Sequence, residues 1–173
     1  MNFFGYCIFF AILIIPAILL ISKCLKQQQK LNDQKRTYNA SVNTAFQHVD
    51  GLPIASGSAV EVLYGNEKMT FLKGKQEISV LTSKIVDIDV VDGKNLKSQV
   101  ASGAIAGKYI IGGTAGALMG AALATTMYLV ITYKNDNDYR FIVFDTGLNT
   151  HHAYKIKNEF KKNNNHEIQS IEL

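Results

Sequence analysis

Cysteine is nearly missing from this chain. Of 173 residues only Cys7 and Cys24 carry a thiol, and none follows Cys24. That excludes a disulfide framework and a cysteine-based metal centre from everything downstream. Charge is scarce too: 18 % of residues are Asp, Glu, Lys or Arg. Soluble domains carry about 25 %, so lipid is an expected environment for part of the chain. Basic clustering is confined to one place. Residues 23–36 hold Lys23, Lys26, Lys30, Lys35 and Arg36 against Asp33 alone, which accounts for the whole net charge of +4. The remainder balances, so the folded part lacks the basic face of a nucleic-acid binder.

Catalytic patterns are equally thin. No serine elbow and no supported Cys–His couple occurs. His151 and His152 are neighbours, so they cannot share a metal at helical i, i+4 spacing. "GAIAGKY" at 103–109 imitates a phosphate loop. One residue is missing between its glycines, however, and Tyr109 stands where the magnesium-holding hydroxyl belongs. Asp87 and Asp89 share a strand face, where solvated outward positions explain them. His48, in a loop near a turn, reads as structural. No cofactor and no metal are expected, and the chain does not read as an enzyme.

The largest apolar feature is N-terminal. "FFGYCIFFAILIIPAILLI" runs from Phe3 to Ile21 without a charge. Nineteen residues at about 1.5 Å each reach about 28 Å, close to a bilayer's hydrocarbon thickness. Pro16 lies inside the run, which a membrane helix tolerates. "MNFFG" has no lysine or arginine, and no small-x-small site follows, which argues against a cleaved signal. Lys23 before Cys24 argues against a lipoprotein. The expectation is a transmembrane anchor over 1–22. All five basic residues lie after it, which orients the following domain to the cytoplasm. The expected location is therefore the cell membrane, single-pass, with the C-terminal domain cytoplasmic. Lys23, Lys26, Lys30, Lys35 and Arg36 are then the membrane-surface residues, fixing topology or touching anionic headgroups. Lys23, Lys26 and Lys30 share a helical face.

Residues 23–45 read as a basic juxtamembrane spacer, and 46–165 as the folded domain. "SAVEVLYG", "KMTFLKG", "QEISVLTSK" and "IVDIDVVDG" are strand-like runs. Gly65-Asn66, Gly74-Lys75 and Asp92-Gly93 separate them. "MYLVITYK" and "YRFIVFD", joined by "NDND", make a further hairpin. A helix follows from about Leu148 to Lys162, with Leu148, His152, Ile156 and Phe160 on one stripe and Ala153 beside it. Residues 166–173 read as a tail. Six or seven antiparallel strands and one amphipathic helix make an α+β domain, a sheet curled into a sandwich or half-barrel and closed by the helix.

Between the two groups of strands lies "SQVASGAIAGKYIIGGTAGALMGAALATT", 98–126, with six glycines and eight alanines. Gly103 and Gly107 are four apart, as are Gly112, Gly116 and Gly120; Gly113 begins a second small row. On helices such rows let two backbones approach closely. Six glycines make an exposed helix poor, at about 1 kcal/mol each. The expected form is a helical hairpin breaking at Gly112-Gly113. A second membrane span over Tyr109–Tyr133 is the alternative.

"HVDGLPIASG", "SKIVDIDV", the glycine-zipper stretch, "YLVITYK" and "FIVFD", in this order, resemble a group of bacterial membrane-anchored proteins. Their pleckstrin-homology-like domain carries a glycine-zipper insert. The resemblance covers about residues 46–160 and implies a curled sheet closed by a C-terminal helix, with the zipper inserted between two strands. This insert lacks the mid-turn proline of related ones. The resemblance brings no catalytic residues with it. The expected function is a membrane-tethered, non-enzymatic binding or scaffold module at the cytoplasmic face. The alternative is a glycine-zipper oligomer or pore-like structural protein. Expected partners are the lipid bilayer and a protein or second copy met through Gly103, Gly107, Gly112, Gly113, Gly116 and Gly120, with no nucleic acid.

Overall fold

Alternating apolar and polar side chains build most of this molecule, and they pair into one sheet. The structure, a computed structural model, describes residues 3–96, 126–136 and 138–169. Helix α1 spans Phe3–Thr37. Strands follow at β1 (Ala40–Asp50), β2 (Ala59–Gly65), β3 (Lys68–Lys73), β4 (Gln76–Leu81) and β5 (Ile85–Asp92). After the insert come β6 (Met127–Asn135), β7 (Asp138–Asp145) and helix α2 (Thr150–Gln169). The sheet order is β4-β3-β2-β1-β7-β6-β5, with every described pairing antiparallel.

That order fixes the shape. β4 and β5 are the two edges of a seven-stranded sheet, yet only the 3₁₀ turn Thr82–Lys84 joins them. A flat sheet would hold its edges about 29 Å apart, at about 4.8 Å per strand. The chain from Leu81 to Ile85 reaches about 14 Å at most. The sheet must therefore curl until its edges approach. Thr82 pins the corner: its N–H donates to Glu67 O at 2.8 Å and its hydroxyl to Gly65 O at 3.1 Å.

The interior of the curl is the main core. Val42, Phe46, Val62, Phe71, Ile88 and Ile131 are among its buried side chains. Phe144 lies at its centre, 5.7 Å from the Phe71 ring in stacked geometry and 6.1 Å from Phe46. Helix α2 closes the open side, with Ala153, Ile156 and Phe160 buried in the same core. These three recur at three- and four-residue spacing, which places them on one helical face. Leu148, expected to begin that stripe, is instead 99 % exposed, because the helix starts at Thr150 and Leu148 sits in a preceding 3₁₀ turn. A second, smaller cluster of Val91, Leu96, Tyr128, Val130 and Val143 lies on the opposite face of the β5–β7 half.

One strand was not anticipated. β1 occupies residues read from sequence mainly as spacer, and it is the strand that joins the two halves of the sheet. At its end the register against β7 shifts between His48 and Asp50. Gly51 follows with φ +94°, and a Cβ there would lie 1.9 Å from Phe141 O, so only glycine fits.

The glycine-rich stretch leaves and re-enters the sheet at neighbouring points. Asp92 pairs with Met127, and Gly93 N–H donates to Thr126 O at 3.0 Å. The hairpin expected there, and Gly103, Gly107, Gly112, Gly113, Gly116 and Gly120, lie outside the described residues.

The N-terminal expectation is corrected. Among the described residues no helix is long and apolar enough to cross a membrane. α1 does not end with the apolar run but continues as one helix through Lys23, Lys26, Lys30, Asp33, Lys35 and Arg36. A span needs about 20 consecutive apolar residues. In α1 charged groups recur every three to four residues from Lys23 to Lys30. The transmembrane anchor, the single-pass assignment and the cell-membrane location with a cytoplasmic C-terminal domain are withdrawn together.

A groove between helix α1 and the outer sheet face

The outer face of β1–β4 is assembled from the positions that alternate with the core. Asn43, Ala45, Glu61, Leu63, Thr70, Leu72 and Glu77 fall on it by register. The last turns of α1 dock on this face through polar groups. Gln34 Nε2 donates to Glu61 Oε2 at 2.6 Å, and Asn43 Nδ2 donates to Gln34 Oε1 at 3.1 Å. Lys30 Nζ stands 3.9 Å from Glu61 Oε1. Further along, the Tyr38 hydroxyl donates to Glu77 at 2.9 Å. Lys68 lies 3.9 Å from that carboxylate and 5.8 Å from the centre of the Tyr38 ring. The hydrogen bond to Glu77 is the main reason the Tyr38 phenol titrates above its ordinary value. Asn39, with φ +47°, then turns the chain from helix into β1.

Docking at one end leaves a groove of about 840 Å³ along the helix. Its floor is Ala45, Ala59 and Leu72; Lys26, Gln29, Lys30 and Asp33 form the helical wall, and the β3–β4 turn from Gly74 to Glu77 forms the other. Small side chains explain the space. Ala45 and Ala59 stand where the outer face would otherwise carry larger groups, so the helix bridges over them. The volume lies within the range of about 300 to 1,000 Å³ common for ligand sites.

Charge in the groove is partly neutralised. Glu61 is met by Lys30, Glu77 by Lys68, and Lys73 donates to the Ser58 hydroxyl. Among the described residues Lys26 and Lys75 have no ion pair, and they come from opposite walls.

Of the five basic residues singled out from sequence, Lys26 and Lys30 line this groove. Lys23 is exposed on α1 about one turn earlier, and Arg36 is exposed beyond it. Lys35 is half-buried near His152. The five do not converge. Gln34, Tyr38, Ala45, Ala59, Glu61 and Glu77 were not anticipated. The alternation of alanine with larger residues in β1 was their one visible signal.

The remaining candidates lie elsewhere in the fold. His48 is 2 % exposed; its Nε2 accepts from Leu52 N–H at 3.2 Å, and its ring meets the Phe144 edge at 5.9 Å. Asp89 is engaged by Lys157 at 2.6 Å. The rings of His151 and His152 are 3.8 Å apart. Burial, and then the neighbouring His151, Lys155 and Lys35, hold the His152 imidazole below its ordinary value. Among the described residues no three His, Cys, Asp or Glu side chains gather where they could hold a metal ion.

Compared with known proteins, the chain matches no family model, no curated protein and no solved structure.

Proposed function

We propose that this protein is a non-enzymatic binding module whose ligand lies in the groove between α1 and the outer face of β1–β4. The supporting observation is the groove itself. It joins a small apolar floor to polar walls, and it is held open by a hydrogen-bonded helix at one end. Ligand sites commonly combine an apolar surface with a few placed polar groups in this way. Among the described residues the inner face of the sheet is filled by the core.

The test is to fill the groove. Ala59 is exposed, so Ala59→Trp adds bulk to the floor without entering the core, and tryptophan suits a strand. Fluorescein-labelled decapeptides of acidic, basic, neutral polar and apolar composition are titrated against the full chain by anisotropy. At least one class binds the natural protein and is lost in Ala59→Trp. Failure of every class, or binding untouched by the substitution, overturns the reading.

A further inference from the structure

We infer that the groove takes an extended acidic peptide segment; this rests on the binding-module reading above. Length is the first ground. The helical side of the groove runs from Lys26 to Tyr38. At about 1.5 Å per residue that is about 18 Å. An extended chain of about five residues covers the same distance at about 3.3 Å each.

Charge is the second. Every carboxylate of the groove but one is occupied: Glu61 faces Lys30, and Glu77 faces Lys68 and Tyr38. Asp33 is the exception, and it has no ion pair among the described residues. Against it stand Lys26 on the helix and Lys75 on the β3–β4 turn, both exposed and unpaired. Lys23, on the same helical face as Lys26 and Lys30, extends the positive row past the mouth. A ligand entering here gains attraction for negative charge at two separated points. A compact anion reaches one wall at a time, whereas an acidic strand reaches both.

The floor is the third. Ala45 and Ala59 leave room for a peptide backbone and short side chains, and Leu72 gives apolar contact.

The experiment uses the full chain and three fluorescein-labelled decapeptides of equal length: one alternating Glu with Ser, one Lys with Ser, and one Gly with Ser. Anisotropy gives Kd for the natural protein, Ala59→Trp and the double variant Lys26→Glu, Lys75→Glu. Both lysines are exposed, so the double variant leaves the core alone, and circular dichroism verifies its folding. The acidic peptide is expected to bind about tenfold or more tightly than the others. Its affinity should fall about tenfold in the double variant, and also on raising salt from about 0.05 to 0.5 M, because exposed charges are screened. It should be lost in Ala59→Trp. If the neutral or basic peptide binds as well or better, and is lost in Ala59→Trp, the acidic inference fails while the binding-module reading stands. If no peptide binds, or if Ala59→Trp changes nothing, both fail.

Discussion

The two faces of the β1–β4 sheet are made of opposite materials. Inside, Val42, Phe46, Val62, Tyr64, Met69 and Phe71 are almost completely buried. Outside, one position away along each strand, stand Asn43, Ala45, Ala59, Glu61 and Leu72. The inner face closes on α2 with Ala153, Ile156 and Phe160, an apolar contact. The outer face meets α1 through a chain of side-chain hydrogen bonds, and one buried acceptor there, Asn43 Oδ1, has no partner among the described residues. Apolar burial is strong and non-directional, at about 25 cal/mol per Å². Net hydrogen bonds contribute only about 0.5 to 1.5 kcal/mol each. One face therefore holds the domain together, and the other holds a helix in place while leaving a groove beneath it.

Substitutions on the inner face should cost the most stability. Phe160→Ala removes the largest α2 side chain from the core and should cost about 3 to 5 kcal/mol. Domains have about 5 to 15 kcal/mol in total, so urea denaturation should show a large loss. An unchanged midpoint would mean that α2 is no part of the core.

Gly51→Ala comes next. It places a Cβ against Phe141 O and forces a left-handed backbone on a residue that resists it. The backbone strain alone costs about 1 to 3 kcal/mol, and the clash adds to it. A melting temperature within experimental error of the natural protein would contradict the β1–β7 geometry.

Outside, the effects shrink. Gln34→Ala breaks the links to Glu61 and Asn43 and should cost about 1 kcal/mol. Amide exchange should accelerate in the last turns of α1 while the sheet keeps its protection. Equal acceleration in β1 and β2 would show that the two faces are not separable.

Acid acts on α2 through His152. His152 titrates below its ordinary value when folded, so the unfolded chain binds its proton more readily. Stability is then fully present above the unfolded value of about 6.5 and declines as pH falls through it. Melting temperature should drop between pH 8 and pH 5, and the drop should be smaller in His152→Gln. An identical drop in the variant would place the pH dependence elsewhere.

How much of this was legible in the sequence follows from the same contrast. The runs "SAVEVLYG", "KMTFLKG", "QEISVLTSK", "IVDIDVVDG", "MYLVITYK" and "YRFIVFD" each became a strand, because β-branched and aromatic residues punctuated by turn residues report local pairing. Ile156 and Phe160 became the buried stripe of α2 because their spacing is helical. β1 went unread. Val42, Thr44, Phe46 and His48 alternate inward, but Asn39, Ser41, Asn43 and Gln47 made the stretch look like linker. The apolar run at the N-terminus suggested a membrane span, and its length alone did not reveal that the helix docks on a sheet. The groove was illegible for a deeper reason. Glu61 meets Gln34 from 27 positions away and Glu77 meets Tyr38 from 39, and no local period encodes such meetings.

The contrast between a closed inside and an open outside is tested most directly by amide chemical-shift mapping of the full chain titrated with the Glu-Ser decapeptide. Shifts should concentrate at Lys26 to Tyr38, at Ala45 and Ala59, and from Gly74 to Glu77, with the amides of Ile131, Ile142 and Ile156 unmoved. Shifts centred on β5, β6 and β7, or none at saturating peptide, would contradict it.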